Sequence, residues 1–241
     1  MKGKHIFITL AGALAILFAI TTTAAAKPQA PAASSDINPA NFVGSITNPL
    51  FPLTPGTTFF YQGTKDGVPT SDTMSVTKKT KLILGVTCTV VHHESFEAGV
   101  LVEDTFDWYA QDEDGNVWYF GEDTKELDPS GNVVSTEGSW EAGVDGAQPG
   151  IIMEAHPLAG DRYQQEFAPG VAEDMAQVLN LKENHVCVSY GCFDDVLLTK
   201  EWTPLEHNVV EQKYYAPGVG FILGVMVKGG DERSELVRIT Y

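Results

Sequence analysis

From residue 57 to the C-terminus one pattern recurs: short runs in which apolar and β-branched residues alternate with polar ones, separated by Gly, Asp and Asn. Such runs form half-buried β-strands, and close spacing makes them antiparallel neighbours. Residues 57–62 precede a turn at Lys65-Asp66-Gly67, and 81–93 (KLILGVTCTVVHH) reads as one β-branched strand. Runs at 99–111, 116–126 and 132–140 follow at meander spacing. Beyond a looser stretch at 144–150 come short pieces at 151–154 and 162–167, and strands resume at 185–190, 196–203, 209–216, 220–227 and 234–240.

One segment breaks the strand pattern. In 170–181, Val171, Met175, Val178 and Leu179 recur at helical spacing, with Pro169 before them and Glu173 and Asp174 in the first turn. That spacing predicts a short helix whose apolar stripe covers a sheet. The expected fold class is therefore predominantly all-β: a large curved antiparallel meander sheet or open barrel with one short covering helix.

The N-terminus has a different pattern. Lys2 and Lys4 precede an apolar run from Ile6 to Ile20, and Ala24-Ala25-Ala26 follows it, so 1–26 reads as a secretory signal peptide. The run is shorter than the roughly 20 residues that cross a bilayer, so no stable membrane insertion is expected. Segment 27–47, rich in Pro, Ala and Ser at its start, is expected to be a flexible leader. Within it and just beyond, Phe42, Ile46, Leu50 and Phe51 are the residues able to lie against the domain. The single β-rich domain is then 48–241, working in the periplasm or outside the cell.

Composition narrows the partners. The chain carries 32 acidic against 15 basic residues, a formal net charge of −17. A field of that sign repels nucleic acid and anionic lipid and attracts cations. Nucleic acid is excluded as a partner, and a small-molecule ligand is expected; oligomeric state has no sequence signal.

The best-specified local structure is the hairpin 104–122, in which Asp112-Glu113-Asp114-Gly115 fits a type I turn followed by a G1 bulge. That turn pairs Gln111 with Val117, Ala110 with Trp118, Tyr109 with Tyr119, Trp108 with Phe120 and Asp107 with Gly121. Alternation then places Phe106, Trp108, Trp118 and Phe120 on one face, expected to be core. Asp107, Tyr109, Gln111 and Tyr119 share the other face. If a ligand site exists, these four line it: two amphipathic rings, a carboxylate and an amide suit a cationic or hydroxyl-rich ligand.

Other candidate chemistry is weaker. Asp112, Asp114 and Asn116 have the alternate spacing of a calcium loop but lack its downstream glutamate. His92 and His93 point to opposite faces of a strand, and one of them could join Glu154 and His156 at a metal; His185, Cys187 and Cys192 offer a soft-metal alternative. Cys187 and Cys192 flank a tight turn and are expected to form a disulfide, leaving Cys88 as a buried thiol. There is no G-x-S-x-G, H-E-x-x-H, P-loop or C-x-x-C-H motif, and no cofactor is expected. Carboxylates beside tryptophan, at Trp140-Glu141 and Glu201-Trp202, would suit a sugar site.

Three segments, NPLFPLTPGTTFFYQG, EDTFDWYAQDEDGNVWYFGEDTKE and GSWEAGVDGAQPGIIMEAHP, resemble a group of exported bacterial proteins of no established activity, over most of the chain beyond Asn48. The resemblance implies secretion and one β-rich domain, and it assigns no catalytic residue. The meander also resembles periplasmic carriers built on a curved antiparallel sheet. The leading expectation is an exported binding or carrier protein for a small ligand. The alternatives are a secreted hydrolase or lyase acting on an extracellular polymer, and a metal-ion-binding exported protein. Whether the chain is an enzyme is not decided by any motif.

Overall fold

Positive-φ turns fold most of the chain into one continuous meander. The computed structural model describes residues 37–241; the expected signal peptide and the first part of the expected leader lie outside the described residues. The strands are β1 (Phe42–Val43), β2 (Thr58–Lys65), β3 (Val68–Ile83), β4 (Val86–Glu97), β5 (Val100–Asp112) and β6 (Val117–Leu127). Shorter ones follow: β7 (Val133–Ser135), β8 (Trp140–Glu141), β9 (Gln148–Met153), β10 (Arg162–Gln164) and β11 (Glu166–Phe167). The last group is β12 (Met175–Glu183), β13 (Val186–Val188), β14 (Gly191–Phe193), β15 (Val196–Trp202), β16 (Val210–Ala216), β17 (Gly220–Lys228) and β18 (Glu232–Thr240).

Two-residue turns join β2 to β5. Asp66-Gly67, Leu84-Gly85 and Ala98-Gly99 have φ of 49 and 80°, 50 and 82°, and 48 and 80°. Positive φ at both positions is the type I′ pattern, whose twist matches that of the flanking strands. The run expected as one strand at 81–93 is therefore cut by a turn at Leu84-Gly85. The long strands bend at register shifts, between Val76 and Thr80, Ser95 and Phe96, and Asp107 and Tyr109.

The sheet runs in the order β10-β12-β15-β16-β17-β18-β2-β3-β4-β5-β6-β9-β11, all antiparallel. Its two edge strands, β10 and β11, are consecutive in the chain with only Gln165 between them. The edges therefore meet through the chain itself, and the sheet wraps into a nearly closed barrel. Gly150 on β9 permits this closure, because a Cβ there would run into the backbone of Gln165.

The helix expected at 170–181 is not formed. Residues 175–183 are strand β12, paired with β15 from Met175↔Trp202 to Glu183↔Val196. Ala176 and Val178 alternate into the core at 0% and 1% exposure, while Leu179 points out. The period of two wins because β15 offers a run of backbone partners from Met175 to Val178 and again at Asn180 and Glu183, where a lone short helix is marginal in water. Among the described residues the helical segment is a 3-10 turn at Pro39–Asn41.

The second half of the expected leader belongs to the fold. Phe42 and Val43 pair with Asp112 and Gln111 on β5, and Ile46, Phe51 and Leu53 are buried. This segment closes one end of the barrel.

Candidate functional site

The strand register stacks inward-facing polar residues into a belt inside the barrel. One rung runs Tyr61, Asp72, Ser95, Glu103 across β2 to β5. The next runs Met74, His93, Thr105, Thr124, and the third Val76, Val91, Asp107, Glu122 across β3 to β6. From the opposite wall β15 and β16 contribute Thr199, Glu201, Lys213 and Tyr215, all buried.

Between the two walls lies a cavity bounded by Tyr61, Asp72, Met74, His93, Lys213, Phe221 and Ser234. The Asp72 carboxylate is 3.8 Å from His93 Nε2 and accepts the Ser234 hydroxyl at 3.4 Å. Burial pushes the Asp72 carboxyl up to about 6 and pulls the His93 imidazole below its usual value. Lys213 Nζ is held by Glu201 at 2.9 Å and Glu211 at 3.4 Å, so its charge is compensated locally. The space open to the centre of a water molecule is about 20 Å³. A second cavity adjoins it through Tyr61, Met74 and Phe221, with Phe51, Pro52 and Leu53 of the N-terminal segment as its far wall.

Deeper in the belt, Tyr119 stands between two carboxyls: its hydroxyl is 2.6 Å from Asp107 Oδ1 and 3.2 Å from Glu122 Oε2. A phenol has one proton to donate. Its shorter contact is to Asp107. Burial, followed by the Asp107 and Glu103 charges, raises Glu122 well above the carboxylate range. Glu166 accepts from Trp140 Nε1 at 2.9 Å. Asp107 Oδ2, Glu166 Oε1 and Glu211 Oε1 are buried without a protein hydrogen-bond partner. Buried Glu103, Asp107, Glu122, Glu166, Glu201 and Glu232 outnumber buried Lys65 and Lys213, so the interior takes up protons or attracts donors.

The hairpin residues singled out from sequence come together, and the face carrying Asp107, Tyr109 and Tyr119 is the one turned into the barrel. The pairs Gln111↔Val117, Ala110↔Trp118 and Tyr109↔Tyr119 form as expected; Asp107 then pairs with Glu122 instead of Gly121. The cause is a bulge at Gly121, which has φ +126° and sits so close to Trp140 that a Cβ would strike its carbonyl. Asp107, Tyr109 and Tyr119 are 1%, 0% and 0% exposed inside the barrel. The aromatic face expected to be core turns away from the barrel interior yet is largely covered: Trp108 and Phe120 are 6% and 0% exposed, and Phe106 and Trp118 are half-buried against them. There Phe42 packs edge-on against Trp118 and Phe120, and Lys81 Nζ lies 3.2 Å over the Trp108 ring. The Gln111 side chain is committed elsewhere: its Oε1 accepts the Thr47 and Asn48 amides at 2.7 and 2.8 Å, tying down the N-terminal segment.

Other sequence candidates have structural partners. Asp112 accepts from Asn116 N and Nδ2 and from Trp118 Nε1 at 2.8 to 2.9 Å, so both of its oxygens serve the turn. His92 stacks on Phe106 and pairs with Asp104 at 2.6 Å on the outer face, opposite His93. No group of three or more metal-ligating side chains occurs among the described residues. Each carboxylate beside a tryptophan points away from it: Glu141 reaches Lys81 while Trp140 meets Glu166, and Glu201 is buried on Lys213 while Trp202 lies under Lys200. Cys187 and Cys192 form the expected disulfide between directly paired residues. Cys88 is free and fully buried, its thiol pushed up to about 12 by desolvation.

Asp72, His93, Lys213 and Ser234 were missed as a group because they lie on four separate strands. A partial signal existed in Glu211, Lys213 and Tyr215, which alternate as polar and ionisable groups where a solvated strand would be read.

No family model matches the chain, and no curated protein matches it. Two solved structures are similar in shape. A Bacteroides fragilis chain described as a candidate exported protein with a YmcC-like fold has TM-score 0.47 and 16% identity, covering 81% of this chain and 100% of its own. A Parabacteroides distasonis candidate lipoprotein has TM-score 0.41 and 9% identity, covering 80% of this chain and 99% of its own.

Proposed function

We propose that this is an exported binding or carrier protein that holds a small cationic or hydroxyl-bearing ligand inside the barrel. The observation that carries the reading is the cavity enclosed by Tyr61, Asp72, His93, Lys213 and Ser234, where polar groups from opposite walls converge. Convergent polar groups in an otherwise apolar enclosure are what a small-molecule site requires. Asp72 and His93 supply acceptors for ligand donors, and Asp107 with Tyr119 continues the acceptor surface past the next rung. Export agrees with the N-terminal pattern and with the Cys187–Cys192 disulfide, a bond that persists in oxidising compartments.

The test is a thermal-shift screen in which small primary amines, polyols and carboxylates are the probes. Amines or polyols are expected to raise the melting temperature of the wild type and to lose that effect in Asp72→Asn, which preserves shape. Stabilisation by carboxylates instead, or an undiminished effect in Asp72→Asn, would overturn the assignment.

A further inference from the structure

The barrel wall is not equally sealed all round. Strand β18 runs against β2 from Glu232↔Lys65 to Thr240↔Thr58, but against β17 only from Arg233↔Val225 to Glu235↔Leu223. Beyond Glu235 the hairpin β13–β14 takes over from β17. The next residue, Leu236, gives its carbonyl to the Tyr190 amide at 3.0 Å. The Glu235 carboxylate accepts the Ser189 hydroxyl at 2.6 Å and the Ser189 amide at 3.2 Å. Behind this seam lies the cavity: Phe221 of β17, Ser234 of β18 and Tyr61 line it. Across the inner side one bond spans the gap, from the Tyr61 hydroxyl to the Phe221 carbonyl at 3.3 Å.

The hairpin itself is two strands of three residues, too short to hold its shape unaided. Cys187 and Cys192 staple it one step from its Ser189-Tyr190 turn, and both are exposed. The Ser189 bonds to Glu235 are exposed too, so water competes for them. By contrast, the Gln111 and Asn48 bonds that hold the N-terminal segment are buried or half-buried. Opening therefore costs less at the hairpin than at that segment.

We propose that the disulfide-stapled hairpin β13–β14 is a strap over the β17–β18 seam, and that this seam is the route by which ligand reaches the cavity. The proposal rests on the cavity being the binding site, yet it is tested without any ligand. Met74 lines both cavities and is buried, so Met74→Cys places a thiol there, while native Cys88 in the same molecule is a buried thiol elsewhere in the wall. The rate of labelling by a small methanethiosulfonate reagent then reports access at each position.

In the Cys187→Ser/Cys192→Ser background, labelling at position 74 is expected to accelerate at least tenfold while Cys88 stays within twofold. Glu235→Gln, which leaves the disulfide intact, should give a smaller acceleration at position 74 alone. Equal acceleration at both thiols means general loosening and overturns the strap; so does an unchanged rate at position 74, which places the route elsewhere. Either negative result leaves the amine and polyol screen to decide separately whether the cavity binds ligand.

Discussion

At the scale of single residues, Ala98 shows what the sequence hides. It occupies the first position of a type I′ turn at φ 48°, a conformation that Asn and Asp adopt far more readily than Ala. Ala98→Asn is expected to stabilise the fold by about 0.5–1 kcal/mol in urea denaturation, since it relieves left-handed strain on an exposed turn. A loss of stability would mean that the strain is offset by contacts of the Ala98 methyl. The neighbouring turn at Leu84-Gly85 went unseen because an apolar residue heads it; Asp66-Gly67, with the usual residue pair, was plain. Asp107 and Tyr119 were correctly grouped, yet their meaning depended on which side of the sheet was inside.

At the scale of elements, most strands were legible and strand closure was not; β3 (Val68–Ile83) carries few large apolar residues before Lys81 and showed only its last three residues in the pattern. Alternating apolar residues gave β2, β5, β6, β15, β16, β17 and β18 nearly to their ends. The segment 170–181 misled because Val171, Met175, Val178 and Leu179 fit a helix, whereas Ala176, the residue that marks the inward face, is small and ambiguous. The Pro and Ser content of the N-terminal segment predicts a free leader, but two amides seated on one glutamine side chain fix its end. Gln111→Leu removes that acceptor and leaves the Thr47 and Asn48 amides unpaired. The expected cost is about 1–3 kcal/mol. Hydrogen exchange should also rise at least tenfold in 42–53 while β4 is unaffected. Unchanged protection there would show that Phe51 and Leu53 alone hold the segment.

At the scale of the whole molecule, the buried carboxyls set the response to pH. Desolvation raises Asp72 and Asp174 to about 6, Glu211 to about 7 and Glu103 to about 8. Each is then neutral in the fold where the unfolded chain, near pKa 4, is ionised. Their contribution is fully present below the unfolded value and is lost as pH rises through about 6 to 8. His93, pulled down by burial, acts in the opposite sense as pH falls through its unfolded value near 6.5, but it is one group against four. The melting temperature at pH 5.5 should exceed that at pH 8.5 by roughly 5 °C or more at fixed ionic strength. Calorimetry showing the reverse would mean that these acids are charged and paired inside the barrel.

The β class, the meander, the turn at 112–116 with the register beside it, and the disulfide are legible in the chain alone. All of these depend on neighbours within a few residues: side-chain alternation, turn chemistry and two cysteines across a tight loop. Which face of the aromatic hairpin is interior, that β10 and β11 close the sheet through Gln165, and that Asp72, His93, Lys213 and Ser234 meet are settled by the folded barrel. Those outcomes depend on the curvature of the sheet. Alternation says that two faces differ, but the direction of bending selects the inner one, and here it encloses Tyr109, Tyr119 and the carboxyls and leaves Trp108 and Trp118 to be covered by Lys81 and Phe42.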